Sequence, residues 1–267
     1  MTSYLSYFKL KYITGLQYRI AALAGLSTQF FFGFVYVSIY VAFYATGGEN
    51  LPMTLKEVIN YLWLEQAFFA LIYMVHRDKE ILNKIKSGNL SYELIRPQNL
   101  YFMWFFKIYG EKLSNVTLRF LPVILVSLIL PKPYNLVLSN NLYITFIFLI
   151  TLILSSFLVT AIILIYHIIC MFTLDSKGII NIFMMTSDLL SGLVIPIPFF
   201  PKALQKVLDF LPFRYVSDFP FRLYSGNIDI SFAFKGITIQ IVWTLILIVL
   251  GNILMSKATK KAIIQGG

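Results

Sequence analysis

Long runs of apolar residues, separated by short polar segments, dominate the sequence. A helix needs about 20 mostly apolar residues to cross the hydrocarbon core of a bilayer, and six runs approach that length. They cover 20–44, 58–75, a run that starts between 101 and 115 and ends at 130, then 142–174, 178–195 and 232–255. We therefore predict an all-α polytopic membrane protein with six transmembrane helices in one domain, 1–267.

Composition agrees with the hydropathy pattern. Hydrophobic residues make up 58% of the chain and charged residues 13%, with a mean hydropathy of +0.77, whereas soluble domains carry roughly 25% charged residues. The net charge of +10 comes from lysines and arginines that concentrate on the side of the two termini, so we expect both termini to be cytoplasmic. No basic patch lies on a soluble domain, which argues against nucleic-acid binding. Lysine-, isoleucine- and asparagine-rich usage favours a bacterial plasma membrane.

The first residues, 1–19, have a helical apolar stripe. Its members recur every three to four positions and are Leu5, Phe8, Tyr12 and Leu16. This spacing predicts an amphipathic helix lying in the membrane interface; a frayed N-terminal tail is the alternative.

Motifs for nucleotide or metal chemistry are absent from the sequence. Neither GxxxxGK[ST] nor GxGxxG occurs, so a separate ATPase is required if ATP drives the protein. One cysteine, Cys170, and two histidines at unrelated positions give no disulfide framework and no recognisable metal site. We expect no catalytic residue, no metal and no cofactor on this chain.

A polar segment, 76–100, separates the second and third apolar runs. Ile81 and Ile85 lie at helical spacing among charged residues, and Gly88 is a typical helix stop. We expect a short amphipathic helix followed by an extended stretch before Pro97. It is either a docking element for another protein or an ordinary solvated loop. The aromatic cluster that follows it, 101–106, is typical of headgroup depth, and we expect the next charged residues, Lys107, Glu111 and Lys112, at the cytoplasmic interface.

Three stretches resemble a known family: SGNLSYELIRPQNLY, FFPKALQKVLDFLPFRYVSDFPFRLYSG and the C-terminal QGG. They are similar to the membrane subunits of ABC transporters of the type-2 exporter class, six-span permeases often paired with a second, related permease. The resemblance covers essentially the whole chain. It implies a permease dimer above two copies of an ATPase subunit, which binds the ATP and magnesium.

The resemblance also implies roles for two segments. The helix between the second and third spans would be the coupling helix that sits in a groove of the ATPase, with the residues Glu80, Lys84, Gly88, Asn89, Glu93, Arg96 and Pro97. The segment 196–231 would be a re-entrant hairpin acting as an outer gate, with the residues Pro196, Pro198, Phe199, Phe200, Pro201 and Pro212. An interfacial loop is the alternative for the second segment.

Ionisable residues inside predicted spans are costly and therefore candidates for function. Glu65 lies in the middle of the second span, Asp188 in the fifth and Arg119 in the third. Arg119 is a candidate partner for either carboxylate. Such a pair would hold the bundle together or line the pathway, and the sequence leaves both open.

Two other functions fit a polytopic chain. A secondary transporter or channel would use Glu65 or Asp188 to couple to an ion gradient, although no internal repeat supports this architecture. A membrane-embedded enzyme would need a metal cluster or a nucleophile–base pair, which the sequence does not show. The cargo is not readable from the sequence.

Overall fold

Helices form the regular secondary structure of the computed structural model, which describes residues 2–47, 51–75, 78–95, 97–173 and 176–261. In chain order they are α1 (Thr2–Leu16), α2 (Arg19–Ala45), α3 (Leu55–Ile72), α4 (Lys79–Ser87), α5 (Ser91–Leu94), α6 (Leu100–Ile129), α7 (Leu142–Thr173), α8 (Ser176–Leu190), α9 (Lys202–Leu208), α10 (Asp218–Ser225) and α11 (Ala233–Lys261). Short 3-10 turns flank α9 and α10.

Four helical segments of the described residues are long and apolar enough to cross a membrane. They are Arg19–Ala45, Leu100–Ile129, Leu142–Thr173 and Ile230–Lys261. The chain is thus an all-α polytopic membrane protein. α3 and α8, which coincide with the other two predicted spans, have 18 and 15 residues.

α8 ends at Leu190, five residues before the predicted limit at 195. Gly192 adopts a left-handed φ of +85°, and the hydroxyl of Tyr61 donates a 3.0 Å hydrogen bond to its carbonyl. At 1.5 Å per residue α8 is about 22 Å long, which is shorter than the hydrocarbon core of about 30 Å. The predicted helix is too long because the turn at Gly192 is stabilised by a hydrogen bond from Tyr61 of α3, and a contact with a distant helix is not visible in the local sequence.

α3 lies at the centre of the bundle, packed between α2, α6 and α10. Tyr61, Trp63 and Ala67 are fully buried. A capping box at Thr54 and Glu57 fixes the start of the helix, and the indole nitrogen of Trp63 donates a 2.8 Å hydrogen bond to the carbonyl of Tyr134. α3 is therefore anchored in the loop that joins α6 and α7.

The connecting segments gather at two ends of the bundle. At one end the backbone N–H of Asn99 bonds to the hydroxyl of Tyr4, and its amide bonds to Asn252 near the end of α11. At the other end Asn60 makes two hydrogen bonds with the backbone of Val137. The first end therefore holds α1, α4, α5 and the C-terminal part of α11.

α1 lies alongside the first half of α6 and runs in the same direction. Phe8 stacks on Tyr109 at 5.5 Å between ring centroids, and the hydroxyl of Tyr12 lies 3.3 Å from that of Thr117. Leu5, which the sequence placed on the apolar stripe, does not pack on α6 and is 56% exposed. The packed face is instead centred on Tyr4, Phe8 and Tyr12 because these rings match the aromatic side of α6.

The segment that follows α8 packs into the bundle. α10 lies against α3 and α7, and Phe219, Phe221 and Leu223 are buried. The amide of Gln240 in α11 bonds to the carbonyl of Tyr215 just before α10. Protein therefore packs around the later part of this segment, 215–224, which is the condition under which irregular backbone is tolerated at membrane depth.

Candidate functional sites

α4 is built by local signals at both of its ends. Asp78 caps its first turn by accepting a 3.0 Å hydrogen bond from the N–H of Ile81. Gly88 ends it in the left-handed conformation, φ +71°, as the sequence predicted. Ile81, Leu82 and Ile85 are buried, while Lys79, Asn83 and Lys86 are exposed. α4 therefore presents a free polar face at the end of the bundle that holds α1.

A buried ion cluster fastens the start of α4 to α6. Lys107, 2% exposed, is bonded to Asp78 and lies 3.1 Å from Glu80 and 3.7 Å from Glu111. Lys11 of α1 bonds to Glu80 at 3.1 Å. Lys107 is thus buried rather than extended towards solvent, because Asp78 and Glu80, both distant in sequence, lie beside it.

Glu80 shows the electrostatic effect of this cluster. Partial burial disfavours its charged form, but hydrogen bonds from Lys84, the charge of Lys107 and the hydrogen bond from Lys11 together lower the pKa of Glu80 to about 2. Its carboxylate is therefore ionised throughout the physiological range, and the cluster stays intact.

A second set of contacts holds the segment that follows α4. Lys84 bonds to Glu80 at 2.8 Å and to Glu93 at 2.5 Å. The indole nitrogen of Trp104 donates a 2.7 Å hydrogen bond to the other oxygen of Glu93. Partial burial works against the charged form of Lys84, but the bonds to both carboxylates raise its pKa. Three predicted docking residues, Glu80, Lys84 and Glu93, are thus engaged within the chain.

The remaining residues predicted for docking have mixed placements. Gly88 and Asn89 follow α4, where Asn89 is exposed, and Pro97 is exposed before α6. Arg96 lies outside the described residues. The predicted extended stretch contains one helical turn, α5, because Leu90 is buried at 4% exposure and Glu93 is fixed to Trp104.

Lys112 connects α6 to the end of α3. Its ammonium group donates to the carbonyls of Tyr73 at 2.7 Å and Ala70 at 3.3 Å, and the side chain is 3% exposed. Cations at a helix C-terminus satisfy its last carbonyls and its dipole. Lys107 and Lys112 therefore attach both ends of the α3–α4 connection to one helix, and both side chains are buried in protein.

Asp218 organises the outer segment. It is fully buried, accepts a 3.2 Å hydrogen bond from the N–H of Ile197, and pairs with Arg222 at 3.2 Å and Arg214 at 3.4 Å. The hydroxyl of Ser217 bonds to the carbonyl of Ser191 at 2.6 Å. One carboxylate thus links the turn after α8 to α10. The sequence interpretation missed Asp218, whose visible signal is its spacing of four residues from each of the two arginines.

The residues predicted for an outer gate lie in the turn between α8 and α9 and after α9. Pro196, Pro198 and Pro212 are buried, whereas Pro201 is exposed and precedes α9. Gln205 donates hydrogen bonds to the carbonyls of Pro198 and Phe200. The ring of Phe199 lies 5.6 Å from that of Tyr40 in α2. These contacts place the turn against the end of α2.

Glu65, Arg119 and Asp188 all line one cavity of about 330 Å³. Residues of α2, α3 and α6, with Asp188 of α8, form its wall. No ion pair joins Arg119 to either carboxylate, so the predicted pairing is wrong. A guanidinium nitrogen of Arg119 instead lies 3.5 Å from the carbonyl of Ala21, because the group packs closely on Gly25, where an added Cβ would lie 2.4 Å from its central carbon.

Polar atoms in this cavity are buried without protein partners. They include Oε2 of Glu65, Oδ1 of Asp188, Nε of Arg119 and both side-chain polar atoms of Gln29. Gln66 bonds only weakly to Glu65, at 3.3 Å. The sequence interpretation missed Gln29, although an amide within an apolar run is a visible signal.

The sequence profile described as ABC-2 family transporter protein matches residues 23–266. The match includes the segment around α4, the outer segment and every residue that lines the cavity. No curated protein matches the chain.

Proposed function

The chain belongs to the ABC-2 family transporter proteins, and on that premise we propose that it is the permease subunit of an ATP-driven exporter. ATP and magnesium bind to a separate ATPase chain, present in two copies. The observation that carries this proposal is α4, a short helix with a free polar face and a base fastened to α6. This construction suits a connection that passes movement from one protein to another.

The coupling step follows from the contacts of α4. An ATPase that grips Lys79, Asn83 and Lys86 would move the whole helix, since Lys107 and the Lys84–Glu93 pair tie it to α6. Packed helices move as rigid bodies rather than by continuous deformation. Nucleotide-driven closure would thus reach α6 and, through Lys112, α3.

We further propose six crossings with both termini in the cytoplasm of a bacterial cell. The gathering of connecting segments at two opposite ends supports it, with α3 and α8 as the two shorter crossings. The α1 and α4 end, which carries Lys79 and Lys86, would be cytoplasmic by the positive-inside rule. The segment 196–231 would then be the outer re-entrant gate. α1 would lie at the cytoplasmic interface.

A second permease, identical or related, is part of the proposal. Large apolar side chains of α2 and α8 such as Phe31, Phe34 and Met185 are exposed in the single chain. Both helices also line the charged cavity, and a charged wall is costly beside lipid. A partner on this side would separate the cavity from the hydrocarbon and complete a pathway between the two copies.

An ion-driven secondary transporter is the second candidate. The unpaired carboxylates of Glu65 and Asp188 within one cavity favour it, because such groups form ion and proton relays. It predicts transport that collapses with an uncoupler and survives ATP depletion. The exporter predicts the reverse.

The proposal is tested by isolating the chain from native membranes. We expect an ATPase with a phosphate-binding loop to co-purify, and the double variant Asn83→Asp/Lys86→Glu to lose that subunit while remaining inserted. The matched control is Lys206→Glu, a charge reversal at the opposite end of the bundle, which should retain the ATPase. Transport that persists without ATP, or a chain that purifies alone, would contradict the exporter.

A further inference from the structure

The cavity between α2, α3, α6 and α8 has an excess of unsatisfied polar groups. In folded proteins most buried polar atoms have a hydrogen-bond partner. Here Glu65, 1% exposed, and Gln29, 3% exposed, hold three atoms without one, and the side chains of both line the cavity. The cavity therefore suits a ligand that supplies hydrogen-bond partners for these atoms.

The charged side chains that line the cavity indicate the charge of that ligand. Two carboxylates, Glu65 and Asp188, face the cavity together with one guanidinium, Arg119. These groups sum to one negative charge when ionised, and no ion pair within the described residues neutralises it. Because an uncompensated charge is costly away from water, a ligand with one positive charge would balance the site.

The remaining side chains that line the cavity indicate that the uncharged part of the ligand is apolar or aromatic. Four aromatic side chains line the cavity, namely Phe32, Tyr36, Phe69 and Tyr73, and Leu193 and Val194 add aliphatic surface. Aromatic faces attract organic cations. A volume of about 330 Å³ lies in the range of small-molecule sites. Metal ions would leave most of this surface unused.

We propose that the cavity binds a monovalent organic cation with an apolar or aromatic body. The positive group lies beside Glu65 and Asp188, and the body contacts the aromatic wall. This names the class of cargo for the proposed exporter and rests on that function only for the step that releases the ligand across the membrane. Binding itself requires no ATPase.

The test uses two ions of the same shape and opposite charge, tetraphenylphosphonium and tetraphenylborate. Their binding to the purified full chain in detergent is measured by equilibrium dialysis. We expect saturable binding of tetraphenylphosphonium and none of tetraphenylborate. Loss of a charged partner in Glu65→Gln or Asp188→Asn should weaken binding about tenfold or more.

A substitution at Arg119 should change the affinity for the cation in the opposite direction. Arg119→Gln removes a positive charge from the wall, so it should tighten tetraphenylphosphonium binding severalfold. Asp229→Asn, which removes an exposed carboxylate outside the cavity, should leave the affinity unchanged. Glu65→Gln, Asp188→Asn and Asp229→Asn are near-isosteric changes, and each variant, Arg119→Gln included, is compared as the species that elutes with the wild type.

The outcomes separate this inference from the proposed function. No saturable cation binding, equal binding of the two ions, or equal losses in Asp229→Asn and Glu65→Gln would overturn the cation site and leave a water-filled cavity. Cation binding that responds to Glu65 and Arg119 in opposite directions supports it, whether or not an ATPase co-purifies. A missing ATPase would refute only the exporter.

Discussion

Replacing Lys107 with methionine should release α4 from α6. Methionine keeps most of the side-chain volume but removes the cation between Asp78, Glu80 and Glu111. Asp78 is itself 5% exposed, so the variant removes the ammonium that lies against a buried carboxylate. Removing one partner of a buried pair costs about 3–5 kcal/mol of the free energy of unfolding.

The assay is thermal unfolding of the purified chain, followed by intrinsic fluorescence. Each kcal/mol shifts the midpoint by about 2–4 °C for chains of about this size, so Lys107→Met should unfold about 10 °C earlier. Lys86, an exposed lysine of α4, offers a matched control, and Lys86→Met should change the midpoint by at most about 2 °C.

A double variant decides whether the cost arises from the buried carboxylate of Asp78 once the ammonium of Lys107 is removed. Asp78→Asn/Lys107→Met removes both charges, and the amide can still accept the capping hydrogen bond from Ile81. We therefore expect it to be more stable than Lys107→Met alone, a clear departure from additivity. If the two substitutions simply add their costs, the reasoning about the buried pair is refuted.

Three further predictions follow from other contacts of the chain. Asp218→Asn removes the charge that faces Arg222 and should cost about 3 kcal/mol, seen as faster proteolysis of the 196–231 segment. The pKa of Glu80 is lowered to about 2 from an ordinary 4.5, so the stabilising contribution of its carboxylate is complete above pH ~4.5 and falls as the pH drops towards 2. The thermal midpoints of the wild type and Glu80→Gln should therefore converge in acid. A gap that stays constant with pH would contradict this prediction. Trp104→Phe keeps an aromatic ring but removes the indole N–H that donates to Glu93, so stability should fall by at least about 1–3 kcal/mol. An unchanged melting curve would show that this bond is dispensable.

Local signals made the helix α4 predictable. Its charged flanks, the stripe at Ile81 and Ile85 and the stop at Gly88 are all encoded within ten residues of the helix. The same holds for the apolar runs that became α2, α6, α7 and α11. The ionisable residues Glu65, Arg119 and Asp188 stood out against their apolar neighbours in the sequence, and they line one cavity.

The features that the sequence did not predict depend on distant partners. Lys107 is buried because Asp78 lies beside it, and α8 stops early because Tyr61 of α3 holds the carbonyl of Gly192. Arg119 turns to α2, although Glu65 and Asp188 offered opposite charges. The periodicity of one segment does not indicate which helix packs against it. The contacts between helices therefore became visible only in the structure.

The predicted docking residues show the same limit. The family resemblance pointed to Glu80, Lys84 and Glu93, and all three are charged side chains on or beside α4. Their contacts are internal, however, so their role in the proposal is to hold the helix. The exposed side chains of Lys79, Asn83 and Lys86 are available on α4 to meet a partner.

Site-directed cross-linking tests the central claim most directly. Cys170 is buried, so Asn83→Cys adds one accessible thiol on the free face of α4, and Val207→Cys, 55% exposed as the native valine, adds one at the opposite end. In native membranes we predict that Asn83→Cys cross-links to an ATPase subunit with a phosphate-binding loop and that Val207→Cys does not. An ATPase captured at Val207, or none at Asn83, would contradict a permease coupled through α4.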